Sequence, residues 1–164
     1  MFEPELLIKA QKLLDICKEQ NIKIVTAESC TGGLLAGLFT EIAGSSAVFD
    51  RGFITYSNQA KHDLLGVDQE LLDDYGAVSR QVAGEMAQGA LQKSSADLAF
   101  AVTGIAGPGG ATENKPIGLV YIGIAFKAEI KVQEFIFSAM NRSQVRLATL
   151  NAALDLAYTS VFAD

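Results

Sequence analysis

The sequence predicts a single α/β domain folded as a three-layer α/β/α sandwich around a mixed, mostly parallel sheet. Three observations carry that expectation. Helical and strand-like segments alternate along the chain, two strand-like runs exit into glycine-containing turns, and the last two strand-like runs are close enough in sequence to form a hairpin. Alternation of strands and helices favours parallel strands covered on both faces, whereas a hairpin forces an antiparallel pair into the same sheet. The 164 residues suit one domain spanning 1–164, with no repeat, linker or low-complexity stretch.

The first helix is marked by Leu6, Leu7, Ala10, Leu13, Leu14 and Cys17 at helical spacing, with Lys9, Lys12, Asp15 and Lys18 on the other side. Asn21 stops it, and the β-branched run Ile22–Thr26 leads into Ala27-Glu28-Ser29-Cys30-Thr31-Gly32-Gly33, a strand entering a turn. Leu34–Ile42 is helical again; Gly44-Ser45-Ser46 ends it before a second strand within Val48–Tyr56. Ser57 offers a cap for a short helix through Leu65, Gly66 closes it, and Gln69–Tyr75 adds a further turn or two. Ser79 starts a longer helix with Val82, Ala83, Met86, Ala90 and Leu91 inward, ending at Ser94-Ser95. Leu98–Val102 is a buried strand that exits into Thr103-Gly104-Ile105-Ala106-Gly107-Pro108-Gly109-Gly110. Ile117–Phe126 and Ile130–Phe137 form the hairpin around Lys127-Ala128-Glu129, and a last helix covers Asn141–Phe162.

Composition narrows the function. A net charge of -6 without a cluster of Lys or Arg argues against nucleic acid as a partner, because a phosphate-backbone binder needs a basic stripe. No apolar run reaches the roughly 20 residues that span a bilayer, and the acidic start of the chain differs from a secretion signal. Two cysteines without CxxC spacing fit free thiols in a reducing compartment, so a soluble, cytoplasmic protein is expected. No motif suggests a metal, and no Walker loop or GxGxxG suggests ATP or a dinucleotide.

In doubly covered sheets, ligands bind outside the carboxyl edge, where the Glu28–Gly33 and Thr103–Gly110 exits both belong. Ser29 sits at a strand-to-helix junction and can be a nucleophile or a mere helix cap. Cys30 is a rival nucleophile whose sole candidate base is His62. Lys61 lies early in the helix capped by Ser57, where the helix field disfavours a cation; alone it reads as a solvated lysine. To act as a base it must fall from about 10.4 to about 7.5, roughly 4 kcal/mol, through burial and nearby positive charge. Tyr56, alone, is a half-buried core residue.

Thr26-Ala27-Glu28-Ser29-Cys30-Thr31-Gly32-Gly33, Gly44-Ser45-Ser46, Arg51-Gly52-Phe53-Ile54-Thr55-Tyr56-Ser57-Asn58 with Lys61, Gly76-Ala77-Val78-Ser79, Thr103-Gly104-Ile105-Ala106-Gly107-Pro108 and Lys115-Pro116-Ile117-Gly118 together resemble the CinA C-terminal domain family over nearly the whole chain. The resemblance implies an amidase that converts nicotinamide mononucleotide to nicotinic acid mononucleotide and ammonia without a cofactor. It implies Ser29 as nucleophile, Lys61 as base and Tyr56 as a supporting hydroxyl. With those roles, backbone amides near Gly32 or Gly104 are expected to hold the oxyanion, and Thr31, Gly32, Gly33, Thr103, Gly104 and Arg142 to contact the nucleotide, with Thr31 and Arg142 at the phosphate. Arg142 reads equally as a solvated residue at a helix start. The resemblance also suggests a homodimer. The other reading is a nucleotide-binding regulatory module without turnover, linked to competence or DNA damage.

Overall fold

Each expected helix and strand forms in the computed structural model, which describes residues 2–163. The elements are α1 (Pro4–Glu19), β1 (Ile24–Glu28), α2 (Leu34–Thr40), β2 (Phe49–Ile54), α3 (Asn58–Leu65), α4 (Gln69–Tyr75), α5 (Arg80–Gln92), β3 (Leu98–Gly104), β4 (Leu119–Phe126), β5 (Glu129–Ile136) and α6 (Arg142–Ala157). A 3-10 turn at Ser45–Ala47 precedes β2, and a π-helical turn at Tyr158–Phe162 extends α6. None of the helices is long and apolar enough to cross a membrane among the described residues.

The sheet order is β2-β1-β3-β4-β5. β1 pairs in parallel with β2 and β3, while β4 is antiparallel to both β3 and β5. Four strands therefore share one direction and only β4 runs against them, as the hairpin requires.

Alternate residues of the central strands feed two cores, which makes the three layers. Ile24, Leu98, Phe100, Val102, Val120, Ile122 and Ile124 pack with α1, α2 and α6 on one face. Val25, Ala27, Ala99, Ala101 and Ala125 pack with α3, α4 and α5 on the other. Covering on both faces is why β3 reads as a continuous apolar run rather than an alternating one. The α5 face is built from small residues, and the backbone approaches closely: a Cβ on Gly123 of β4 would lie 2.8 Å from the Ala83 carbonyl of α5.

The boundaries shift where local hydrogen bonds outweigh propensity. Ile22 remains tied to Cys17 O, and Asn21 takes a left-handed turn at φ 55°, so β1 begins two residues later than its β-branched run suggests. At its other end β1 runs on to Glu28, which pairs with Ile54 and Val102, and Ser29 stands just beyond it. In the hairpin, Glu129 pairs with Phe126, leaving a two-residue turn at Lys127-Ala128.

Candidate active site

Ser29 lies at the carboxyl end of β1, with its amide donating to Val102 O and its residue almost fully buried. Two features fix the turn that follows. Gly32 donates to Ser29 O at 3.0 Å and takes φ 58°, which glycine adopts without strain. The Glu28 carboxylate caps α2, accepting from the amides of Gly33 at 3.1 Å, Leu35 at 3.0 Å and Ala36 at 2.8 Å. These are donors a helix start would otherwise leave unsatisfied.

Lys61 reaches the same point from α3. Ser57 caps this helix by accepting from Ala60 N, and Gly66 ends it in a left-handed conformation, so Lys61 is held inward and is 1% exposed. Its Nζ lies 3.0 Å from Ser29 Oγ and donates to the carbonyls of Thr55 at 2.8 Å and Tyr56 at 3.3 Å. Burial pushes its pKa down to about 8. Desolvation penalises the ammonium form, and neutral lysine has two N–H groups and one lone pair. With both N–H groups on carbonyls, the lone pair is left for the Ser29 hydroxyl. The solvated-lysine reading is thus replaced by a buried amine in contact with a hydroxyl.

The cleft around this pair measures about 250 Å³ and is bordered by Tyr56, Ala77, Thr103, Gly104, the Ile105–Gly110 loop and Arg142. Tyr56 is 62% exposed rather than half-buried in the core. Its hydroxyl accepts from Arg142 Nη2 at 3.0 Å, while Arg142 Nη1 donates to Gly107 O at 2.8 Å. Arg142 is therefore strapped across the cleft mouth, not left free in solvent. Asn141 and Gln144 form a reciprocal capping box that holds this end of α6.

Other expected contacts meet competing partners. The Thr103 hydroxyl donates to Ala77 O at 2.7 Å, tying β3 to the segment before α5. Thr31 is buried with no partner for its hydroxyl and stands outside the cleft lining. The amides of Gly32 and Gly33 are already used by Ser29 O and Glu28, which leaves neither for an oxyanion. Gly104 differs. Ile105 donates to Leu119 O, so ladder alternation turns the Gly104 amide away from β4 and toward the end of β1. Its lack of a side chain serves packing as well, since a Cβ would meet Val120 Cγ2 at 2.7 Å.

The cysteine alternative does not assemble. Cys30 is buried and burial pushes its thiol up to about 11, while His62 is exposed and its Nδ1 bonds Val67 O at 2.9 Å. Two contributors went unassigned in the sequence: Glu28, whose carboxylate braces the turn, and Arg146, which donates to Cys30 O and Thr31 O. The spacing of Arg146 from Arg142, one helical turn, was the available signal. The carbonyls of Thr55 and Tyr56 left no trace in sequence, because every residue has one.

Fold and site together define a three-layer α/β domain with a buried serine–lysine pair at the carboxyl edge of its sheet. The CinA C-terminal domain model matches residues 8–161, and the chain belongs to that family. It is 53% identical over 144 residues to a protein of Caldicellulosiruptor saccharolyticus named for competence-damage induction, covering 88% of this chain and 35% of that protein. The chain thus spans about a third of the length of the longer curated relatives it matches. It is 60% identical over 104 residues to the nicotinamide-nucleotide amidohydrolase PncC of Enterobacter agglomerans, covering 63% of each. The crystal structure of the competence/damage inducible protein CihA from Agrobacterium tumefaciens superposes with a TM-score of 0.94 at 47% identity, covering 97% of both chains.

Proposed function

We propose that this chain is a serine amidohydrolase acting on the carboxamide of nicotinamide mononucleotide. The observation that carries this reading is the buried Lys61 amine, with its pKa lowered to about 8, 3.0 Å from the Ser29 hydroxyl. The likeness to the Enterobacter agglomerans amidohydrolase supplies the substrate class.

In this mechanism neutral Lys61 takes the Ser29 proton as Oγ attacks the carboxamide carbon, and the carbonyl π pair moves onto oxygen. The tetrahedral intermediate collapses with cleavage of the C–N bond, Lys61 returning the proton to the departing nitrogen so that ammonia leaves. Water then attacks the ester on Ser29 as Lys61 takes its proton, and the second tetrahedral intermediate collapses with cleavage of the C–Oγ bond, Lys61 returning the proton to Oγ as the carboxylic acid product departs. The pyridine carboxamide enters the cleft beside Ser29. The phosphate lies toward Arg142, which also borders a neighbouring groove of about 540 Å³ beyond Gly107. Arg142 donates one N–H to Tyr56 and one to Gly107, which leaves its remaining N–H groups for the phosphate while Tyr56 stays at the cleft rim.

A module that only binds nucleotides gains nothing from a desolvated amine against a serine, and the desolvation costs stability. The test is ammonia release from nicotinamide mononucleotide, nicotinamide riboside and nicotinamide, without added metal. Release from the mononucleotide well above the other two supports this reading. Tight binding of the mononucleotide with no ammonia would support the regulatory module instead.

A further inference from the structure

We infer that Arg146 is a positioning residue that sets the oxyanion site by fixing the Cys30–Thr31 and Thr31–Gly32 peptide planes in the turn that follows the nucleophile. The inference rests on Ser29 being the attacking group. Arg146 Nε donates to Cys30 O at 3.1 Å and its Nη2 to Thr31 O at 2.9 Å, a two-point grip from α6 onto the turn. The grip is close: a Cβ on Gly32 would sit 3.5 Å from Arg146 Nη2.

The peptide planes follow from these bonds. Ser29 O is held by the Gly32 amide, and in a trans peptide the Cys30 N–H points opposite to Ser29 O, out of the turn. Cys30 O is held on the α6 side by Arg146, so the planes on both sides of the Cys30 Cα are fixed. Among the described residues, no carbonyl or side chain of another residue accepts the Cys30 N–H, and Cys30 lines the cleft. Together with Gly104 N–H, it gives two amides beside Ser29 Oγ in place of the occupied amides of Gly32 and Gly33. Arg146 stands outside the cleft lining, so it acts through the backbone rather than on the substrate. Aligned amides in a dry site stabilise an oxyanion without reorganising, and losing one such donor typically costs about 10²–10³ in kcat.

The test compares wild type, Arg146→Met and Arg146→Lys in two assays, with folding checked by thermal melting. One assay is ammonia release from nicotinamide mononucleotide. The other is phosphonylation of Ser29 by a fluorophosphonate, in which an Oγ–P bond forms, fluoride leaves, Lys61 takes the proton and the phosphoryl oxygen needs the same amides. Arg146→Met is expected to lose about ten- to one-hundredfold in both kcat and labelling rate with KM within twofold. Arg146→Lys, which keeps a cation able to reach one carbonyl, is expected to recover part of both.

A folded Arg146→Met with wild-type rates would overturn the inference, as would a raised KM with unchanged kcat, which would make Arg146 a substrate ligand. If Arg146→Met fails to fold, full rates in Arg146→Lys would reduce the residue to packing. Labelling of wild-type Ser29 without ammonia release would overturn the substrate assignment alone, and the labelling rates would still decide the role of Arg146. No labelling of Ser29 in the wild type would overturn both.

Discussion

Lys61 concentrates the chemistry and its cost in one side chain. Burial lowers its pKa to about 8, and the proposed base must be neutral, so activity should rise with pH through about 8 and then level off. A pH profile of kcat/KM, which reports groups of the free enzyme, checks the sign; a value that falls across that range would mean the amine works as a cation. Arg142 spans the cleft mouth between Tyr56 and Gly107. Arg142→Ala should raise KM for nicotinamide mononucleotide at least tenfold, about 1.4 kcal/mol, and an unchanged KM would remove Arg142 from phosphate recognition. At this scale the sequence was legible in residue type rather than in partners. Motif resemblance singled out Ser29, Tyr56 and Lys61, but spacing alone could not reveal that Lys61 is buried. Burial depends on where α3 docks, a tertiary fact, and of the two glycines assigned to the oxyanion Gly32 already uses its amide in closing the turn, whereas Gly104 does not.

The elements bring the two halves of the site together by close packing. Gly89 of α5 lies against the end of α3, where an added Cβ would fall 2.0 Å from Leu65 O. Gly in a helix interior costs about 1 kcal/mol relative to Ala, and here the lack of a side chain allows the close approach. Gly89→Ala should therefore push α3 outward, lower Tm and reduce kcat by drawing Lys61 from Ser29; a variant with higher Tm and normal kcat would show that α3 docking tolerates the methyl. On the other side of the sheet, Glu28→Ala leaves the amides of Gly33, Leu35 and Ala36 without their acceptor. Buried donors left unpaired cost about 1–3 kcal/mol each, partly relieved by water, so a loss on the order of 3 kcal/mol is expected in urea unfolding. Helix existence was readable from apolar spacing and from Ser57, Gly66 and Ser79. The start of β1 was not, because Ile22 has strand propensity yet closes the end of α1.

At the scale of the whole molecule, the sheet joins two cores of different texture. Bulky Leu, Phe and Ile side chains fill the side under α1, α2 and α6, and small Ala and Gly residues line the side under α5. Alternation of strands with helices made the two covered faces legible, and the hairpin made the mixed sheet legible, since so short a connection admits only antiparallel pairing. The carboxyl edge is where both cores open: β1 delivers Ser29, β3 delivers Gly104, α3 delivers Lys61 from one layer and α6 delivers Arg142 from the other. The measurement that tests this arrangement most directly is ammonia release from nicotinamide mononucleotide by wild type, Ser29→Ala and Lys61→Ala at pH 8, with melting curves for each. The account predicts folded variants that each lose about 10³-fold or more in kcat. A folded Ser29→Ala or Lys61→Ala protein that releases ammonia at the wild-type rate would contradict it.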